Sequence, residues 1–259
     1  MIRVLVSGAA GRMGSEVVRA VLTETDLDLV AAVDPGHAGE AVGEGTSLKY
    51  ASDLATEIDA TQPQVMVDFT HPSAVAGNVA TALGKGVNCV VGTTGLPTET
   101  LEQLADAAAE GACLFMAPNF AIGAVLMMRF AQQAARYMPH VEIIELHHDR
   151  KADAPSGTAL RTASLIANAR TYVPETPGRE TEIAEGARGA LVDDVFVHSV
   201  RLPGLVAHEE VIFGEQGQTL SIRHDSIDRT SFMPGVVLAV RNVVGCNGLI
   251  IGLEQFMED

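Results

Sequence analysis

Five short apolar runs in the first 116 residues limit what this chain can fold into: 2–7, 27–33, 65–69, 87–91 and 112–116. Longer stretches with helical spacing lie near 11–22, 72–83 and 97–110. Strands that are apolar along their whole length, alternating with helices, pair in parallel and are covered on both faces. Pro72 and Pro97 suit a first helical turn, where the missing N–H has no partner to lose. The pattern predicts an α/β fold whose N-terminal half is a Rossmann-like, doubly wound parallel sheet.

After Asn119 the rhythm changes. A long helix is expected over 123–137, a strand over 141–146, a polar loop, and a helix from about Thr158. Residues 172–189, rich in Pro, Glu and Gly, read as an exposed connection. Three strand-like runs follow, 195–201, 205–213 and 219–223, with Gly-Glu-Gln-Gly-Gln as the hairpin turn between the last two. Consecutive strands without intervening helices imply a second α+β domain built on a mixed sheet. A last helix, 233–244, and the apolar tail Gly-Leu-Ile-Ile-Gly-Leu-Glu-Gln-Phe return to the first domain. The expected division is a dinucleotide-binding domain over 1–119 with 233–259, and a substrate-binding and oligomerisation domain over 120–232.

The first turn reads Val-Ser-Gly-Ala-Ala-Gly-Arg-Met-Gly, with Gly8, Gly11 and Gly14 between a strand and a helix. Gly8 permits a tight turn, Gly11 lets backbone approach a pyrophosphate, and Gly14 lets the helix lie close on the sheet. Asp34, at the end of the second strand, is placed to accept hydrogen bonds from a ribose diol. The same residues also suit a plain strand-to-helix turn followed by an Asp-Pro turn. Asp34 would meet a 2′-phosphate, and Pro35 and Gly36 supply no cation to offset it. NADH is therefore expected to serve at least as well as NADPH, with Arg12 or His37 as the residues able to contact a phosphate. Two more loops, Gly92-Thr93-Thr94-Gly95 and Ala117-Pro118-Asn119-Phe120, leave strands on the same sheet edge and are expected to border the nicotinamide.

The segment Glu-Leu-His-His-Asp-Arg-Lys-Ala-Asp-Ala-Pro-Ser-Gly-Thr-Ala-Leu, 145–160, gathers two histidines, an arginine and one of only three lysines beside a glycine turn. In a chain of net charge −16, such a cluster calls for a local cause. Ser156, Gly157 and Thr158 open a helix, and first-turn amides bind carboxylates well. Lysine and histidine can pass a proton near neutral pH, which arginine cannot. A salt bridge for Lys151 and a structural hydrogen bond for either histidine stay open on these grounds.

Taken together, Gly-Ala-Ala-Gly-Arg-Met-Gly, Asp-Phe-Thr-His-Pro, Gly-Thr-Thr-Gly, Ala-Pro-Asn-Phe and the histidine–lysine–Ser-Gly-Thr segment, in this order, resemble the 4-hydroxy-tetrahydrodipicolinate reductase (dihydrodipicolinate reductase) family over essentially the whole chain. The resemblance implies a homotetramer that uses NADH or NADPH to reduce a cyclic unsaturated imine dicarboxylate in lysine and diaminopimelate biosynthesis. It implies His147 and Lys151 as acid/base residues and His148, Gly157 and Thr158 as substrate contacts. It implies cofactor contacts at Gly8, Ala9, Ala10, Gly11, Arg12, Met13, Asp34, Gly92, Thr93, Thr94, Ala117, Pro118, Asn119 and Phe120. Pro35 stands where a phosphate-binding arginine can occur in the family.

Other classes fit less well. The acidic balance argues against nucleic acid and anionic membranes as partners. No run approaches the roughly 18 apolar residues of a membrane span. The opening residues reach a glycine turn too soon for a signal peptide, so a cytoplasmic location is expected. Cys89, Cys113 and Cys246 lack zinc spacing, and adjacent histidines on an extended segment diverge, so no metal site is expected. A semialdehyde dehydrogenase would need a nucleophilic cysteine in the site loops, and a redox-sensing regulator a basic DNA-binding element.

Overall fold

The computed structural model describes residues 1–175 and 181–257. The chain divides into two compact units, Met1–Phe120 together with the chain from Phe232 onward, and Ala121–Ser231. The first begins with β1 (Ile2–Ser7), α1 (Gly14–Thr23), β2 (Leu27–Val33), α2 (Leu54–Thr61), β3 (Val65–Asp68), α3 (Pro72–Gly84), β4 (Asn88–Val91), α4 (Thr98–Asp106) and β5 (Cys113–Met116). The second holds α5 (Ile122–Ala135), β6 (His140–His147), α6 (Gly157–Ala169), β7 (Ala190–Val192), β8 (Val195–Arg201), β9 (Ala207–Glu215) and β10 (Gln218–Ser226). The chain then supplies α7 (Met233–Val243) and β11 (Gly248–Ile251) to the first unit.

In the first unit six strands pair in parallel in the order β11-β5-β4-β3-β1-β2. β3 and β4 are buried at every position, as strands covered on both faces must be. Chain order reverses between β1 and β3, and an open sheet binds ligands at the carboxyl end of that switch. The tail adds β11 beside β5, and Phe256 then stacks on Phe115 at 4.6 Å between ring centroids.

The second unit is a mixed five-stranded sheet, β10-β9-β6-β8-β7, in which only β6 and β8 run parallel. Alternation along β6 and β9 sends Ile143, Glu145, Glu209, Val211 and Phe213 inward. The hairpin between β9 and β10 turns at Gln216–Gly217, with Gly217 at φ +75°.

Several boundaries differ from the sequence expectation for local reasons. α1 starts at Gly14 rather than near Gly11, because the residues between them are turns that fold back on the sheet end. Pro97 caps α4 from outside, and that helix stops at Asp106. β9 starts two residues late and runs on to Glu215. α2, capped by Asp53 through its side chain to Thr56 N at 2.8 Å, and the three-residue β7 carry too little apolar patterning to stand out. Part of the Pro-Glu-Gly connection, 176–180, lies outside the described residues. Among the described residues no helix is long and apolar enough to cross a membrane, and no group of side chains forms a metal cluster.

Candidate active site

In the first unit the candidate site is the turn after β1. Gly8 takes φ +76°, open to glycine at little cost. A Cβ on Gly14 would lie 2.0 Å from the Gly8 carbonyl oxygen, so the turn closes only with glycine there. The amides of Gly8 and Ala9 donate to Val33 O, Gly11 N donates to Gly8 O, and Ala10 N donates to Asp34 Oδ2 at 3.1 Å. These bonds use up the front of the turn. The amides of Arg12, Met13 and Gly14 are its uncommitted donors among the described residues, at the N-terminus of α1, where an anion is favoured.

Asp34 joins this turn to the next. Its Oδ1 accepts from Gly36 N at 3.2 Å and faces His37 Nδ1 at 3.1 Å. That contact with Asp34 raises the His37 pKa above its ordinary value, against a small opposing effect of burial. Asp34 Oδ2, with Ala10 N as its one donor, keeps lone-pair capacity for a hydroxyl donor. Gly8, Gly11, Asp34 and Pro35, with Phe69 to His71 and Asn78, line a cleft of about 670 Å³ at the switch between β1 and β3. Bare backbone, an acid at the end of β2 and a cleft of this size fit a dinucleotide.

Sequence reasoning gave no role to Asp68, which organises the same edge. It is fully buried. Oδ1 accepts from Thr70 N (3.1 Å), Thr70 Oγ1 (2.7 Å) and Thr93 Oγ1 (2.9 Å), while Oδ2 accepts from Asn78 Nδ2 at 2.9 Å. Asn78 Nδ2 also reaches Ser7 Oγ at 3.3 Å. The Thr93 hydroxyl is therefore spent inward, and the exposed Thr94 is the threonine of that loop left facing outward. Gly92 has no room for a side chain, since a Cβ would meet the Phe69 ring at 2.1 Å. Ala117 is buried and bonds Val91 O; Phe120 is buried against Phe69 and Phe115; Pro118 is exposed.

In the second unit a separate cluster gathers around Glu145, fully buried on β6. Its Oε2 lies 2.5 Å from His147 Nδ1, and Arg201 from β8 grips both oxygens, at 2.7 and 2.8 Å. Ser156 N donates to Oε1 at 3.2 Å. Burial opposes ionisation of Glu145, but hydrogen bonds from His147, Arg201 and Ser199 outweigh it and hold the carboxyl at about 2. Glu145 is thus an anion at working pH, so His147 Nδ1 carries a hydrogen and Nε2 is the nitrogen turned to other business.

Ser156 caps α6, its hydroxyl accepting from Ala159 N at 3.1 Å. A Cβ on Gly157 would meet nothing within 4 Å; the space beside the first turn is open to a ligand. His148 has a buried Nδ1 that meets no partner among the described residues. Lys151 is paired: Nζ lies 2.7 and 2.8 Å from the Asp153 oxygens. Since Asp153 is 60% exposed, that pair holds the lysine by no more than about 1 kcal/mol. A ligand carboxylate can compete for it.

Two family models cover the chain, "Dihydrodipicolinate reductase, N-terminus" over residues 2–120 and "Dihydrodipicolinate reductase, C-terminus" over 123–257. The chain belongs to the dihydrodipicolinate reductase family. Curated members named 4-hydroxy-tetrahydrodipicolinate reductase include those of Mycolicibacterium vanbaalenii, 52% identical over 258 residues, and Desulfitobacterium hafniense, 49% identical over 267; each comparison covers 99% of both chains. A dihydrodipicolinate reductase from Paenisporosarcina sp. TG-14, solved with dipicolinate bound, matches with a TM-score of 0.88 and 43% identity, covering 99% of this chain and 100% of that one. An amine dehydrogenase from Mycobacterium smegmatis, at 16% identity and a TM-score of 0.66, shares the fold. The parallel sheet and the mixed sheet described above are thus the architecture of a dihydrodipicolinate reductase.

Proposed function

We propose that this chain is an NAD(P)H-dependent 4-hydroxy-tetrahydrodipicolinate reductase of lysine and diaminopimelate biosynthesis, forming tetrahydrodipicolinate by way of dihydrodipicolinate. Membership of the family over the full chain supports the reaction. The observation that carries the site assignment is Glu145, whose carboxylate ties a proton-carrying imidazole to the turn that opens α6.

When bound, a nicotinamide dinucleotide would supply the hydride. The amides of Arg12, Met13 and Gly14 would hold its pyrophosphate, with Gly8 to Gly11 shaping the turn. Asp34 accepts from the ribose, and the loops at Gly92 to Thr94 and Ala117 to Phe120 border the nicotinamide. NADH serves at least as well as NADPH, because Asp34 already takes donors on both oxygens and repels a 2′-phosphate; exposed Arg12 and His37 are the cations able to offset it.

The second unit holds the ring. Gly157, Thr158 and His148 take its carboxylates, the helix N-terminus favouring the negative charge. The dipicolinate carried by the Paenisporosarcina relative is a ring dicarboxylate of this class. Hydride adds at the conjugated carbon, the electron pair moves to the neighbouring carbon as an enamine, and a proton from Lys151 or His147 completes the reduction there. Positioned proton donors typically contribute about 10²- to 10⁴-fold.

The second unit also carries oligomerisation, as a homotetramer in the cytoplasm. Light scattering of the purified protein reads the assembly. The reaction is read from NADH absorbance when the product of the preceding synthase is added. Substrate-dependent loss of absorbance is expected, and no loss with either dinucleotide would reject the assignment.

A further inference from the structure

Three carboxyl side chains are buried among the described residues: Asp68, Glu145 and Glu209. The first two are each held by several donors. Glu209 is 4% exposed, and neither of its oxygens meets a hydrogen-bond partner among the described residues. A buried carboxylate without donors is costly, so such a group keeps its proton. Burial pushes Glu209 up to about 7, the Thr162 hydroxyl pulls the other way, and the charge of Glu145 adds to the rise. No hydrogen bond from Thr162 to either Glu209 oxygen forms in this geometry. Its hydroxyl donates instead to Thr158 O at 3.0 Å.

The position of Glu209 gives that proton a use. In strand register Glu209 stands opposite Glu145 on one side and opposite His224 on the other. Glu145 is the anion that holds His147, Arg201 and Ser156 N. The His224 ring lies against Gly123 at the start of α5, and burial pushes its pKa down, Asp225 opposing and His208 assisting; it brings no positive charge above neutrality. The buried residues of α5 and α6 bring none either.

We propose that Glu209 is a positioning residue that keeps His147 protonated as pH rises. When Glu209 gives up its own proton, a second negative charge appears beside Glu145 and strengthens the hold on the imidazole proton. The pH range over which His147 serves as a proton donor is thereby extended. This rests on the donor role given to His147 above.

The test is Glu209→Gln, which keeps the shape and removes the charge. The titration of the His147 ring, followed by its ¹⁵N shifts, should move to lower pH by about 0.5–1 unit, the size of a charge effect across one strand spacing in a partly screened interior. The alkaline limb of kcat, each profile normalised to its own maximum, should move by the same amount. A purely structural role would change the melting temperature or the absolute rate and leave both midpoints in place. Midpoints that stay, or that rise, overturn the proposal. If the variant does not fold, the wild-type His147 titration decides alone: two inflections, one reporting Glu209, are expected, and a single one overturns it. The ring nitrogens need no turnover, so an inactive protein would count against the reaction and not against this coupling.

Discussion

Glu145 and His147 stand two residues apart on one face of β6, and the imidazole Nδ1 lies 2.5 Å from the buried Oε2. The strand's own alternation makes the pair: a residue two places before the histidine must share its side of the sheet. Arg201 and Ser156 N then bring β8 and the α6 turn to the same carboxylate. One buried anion sets both the tautomer of the proton carrier and the place of the helix end.

Glu145→Gln is therefore expected to lower kcat by about 10²-fold or more, since the amide no longer stabilises a charged imidazole. It also leaves Arg201 without its anion, at a cost of roughly 3–5 kcal/mol in stability. The pH dependence is fixed in sign. Glu145 sits at about 2 against an ordinary 4.5, so its contribution is complete above 4.5 and is lost as pH falls toward 2. Denaturant unfolding at pH 7 and pH 3 should show a smaller pH difference in the variant than in the wild type. An equal difference would separate Glu145 from acid stability.

Lys151, the second proton donor proposed above, is paired here with a mostly exposed Asp153. Lys151→Ala should depress kcat by about 10²-fold or more, with a smaller rise in KM; a kcat within about twofold of wild type would remove Lys151 from the chemistry. Asp153→Asn should act in the opposite direction. Releasing a pair worth about 1 kcal/mol or less lowers the substrate KM by up to about fivefold, with the melting temperature within a few degrees.

The cofactor preference proposed above turns on Asp34 and His37. NADH should give a kcat/KM at least equal to that for NADPH, and a tenfold NADPH preference would overturn the reading. Because Asp34 raises the His37 pKa, the imidazole gains charge as pH falls through and below neutrality. The ratio of NADPH to NADH efficiency should accordingly rise from pH 8 to pH 6, and His37→Ala should flatten that change.

The parallel sheet was legible because five apolar runs and a glycine turn are local signals, each readable without knowing its neighbours. So was the cluster at 147–158, where residue types rare in this chain crowd together. Glu145, Arg201, Glu209 and Asp68 were not, although all lie in or beside segments that stood out. Their partners come from elsewhere in the chain: Arg201 is 56 residues from Glu145, and Asp68 meets Thr93 across 25. A carboxyl at a strand position reads as a solvated charge until the sheet register buries it. The Lys151–Asp153 pair is a third kind of case. Both residues were in view, and the salt bridge left open for the lysine is the contact it makes.

Asp68 carries the last prediction, because its two oxygens face donors only. In Asp68→Asn the amide oxygen can replace one carboxylate oxygen, but the NH₂ must then meet either the Asn78 amide N–H or the Thr70 backbone N–H, while the two threonine hydroxyls can turn to accept. A donor facing a donor in a buried site leaves both unsatisfied, at roughly 2–4 kcal/mol. Thr93→Val is milder. It removes one of three bonds to Oδ1 and should cost about 1–2 kcal/mol, while loosening the Gly92–Thr94 loop that Asp68 holds. If that loop borders the nicotinamide, KM for NADH should rise severalfold in Thr93→Val, with the dicarboxylate KM little changed, and Thr93→Ser, which keeps the hydroxyl, should restore it. A Thr93→Val enzyme that lost stability and kept its NADH KM would show that Asp68 braces the sheet edge without shaping the cofactor site.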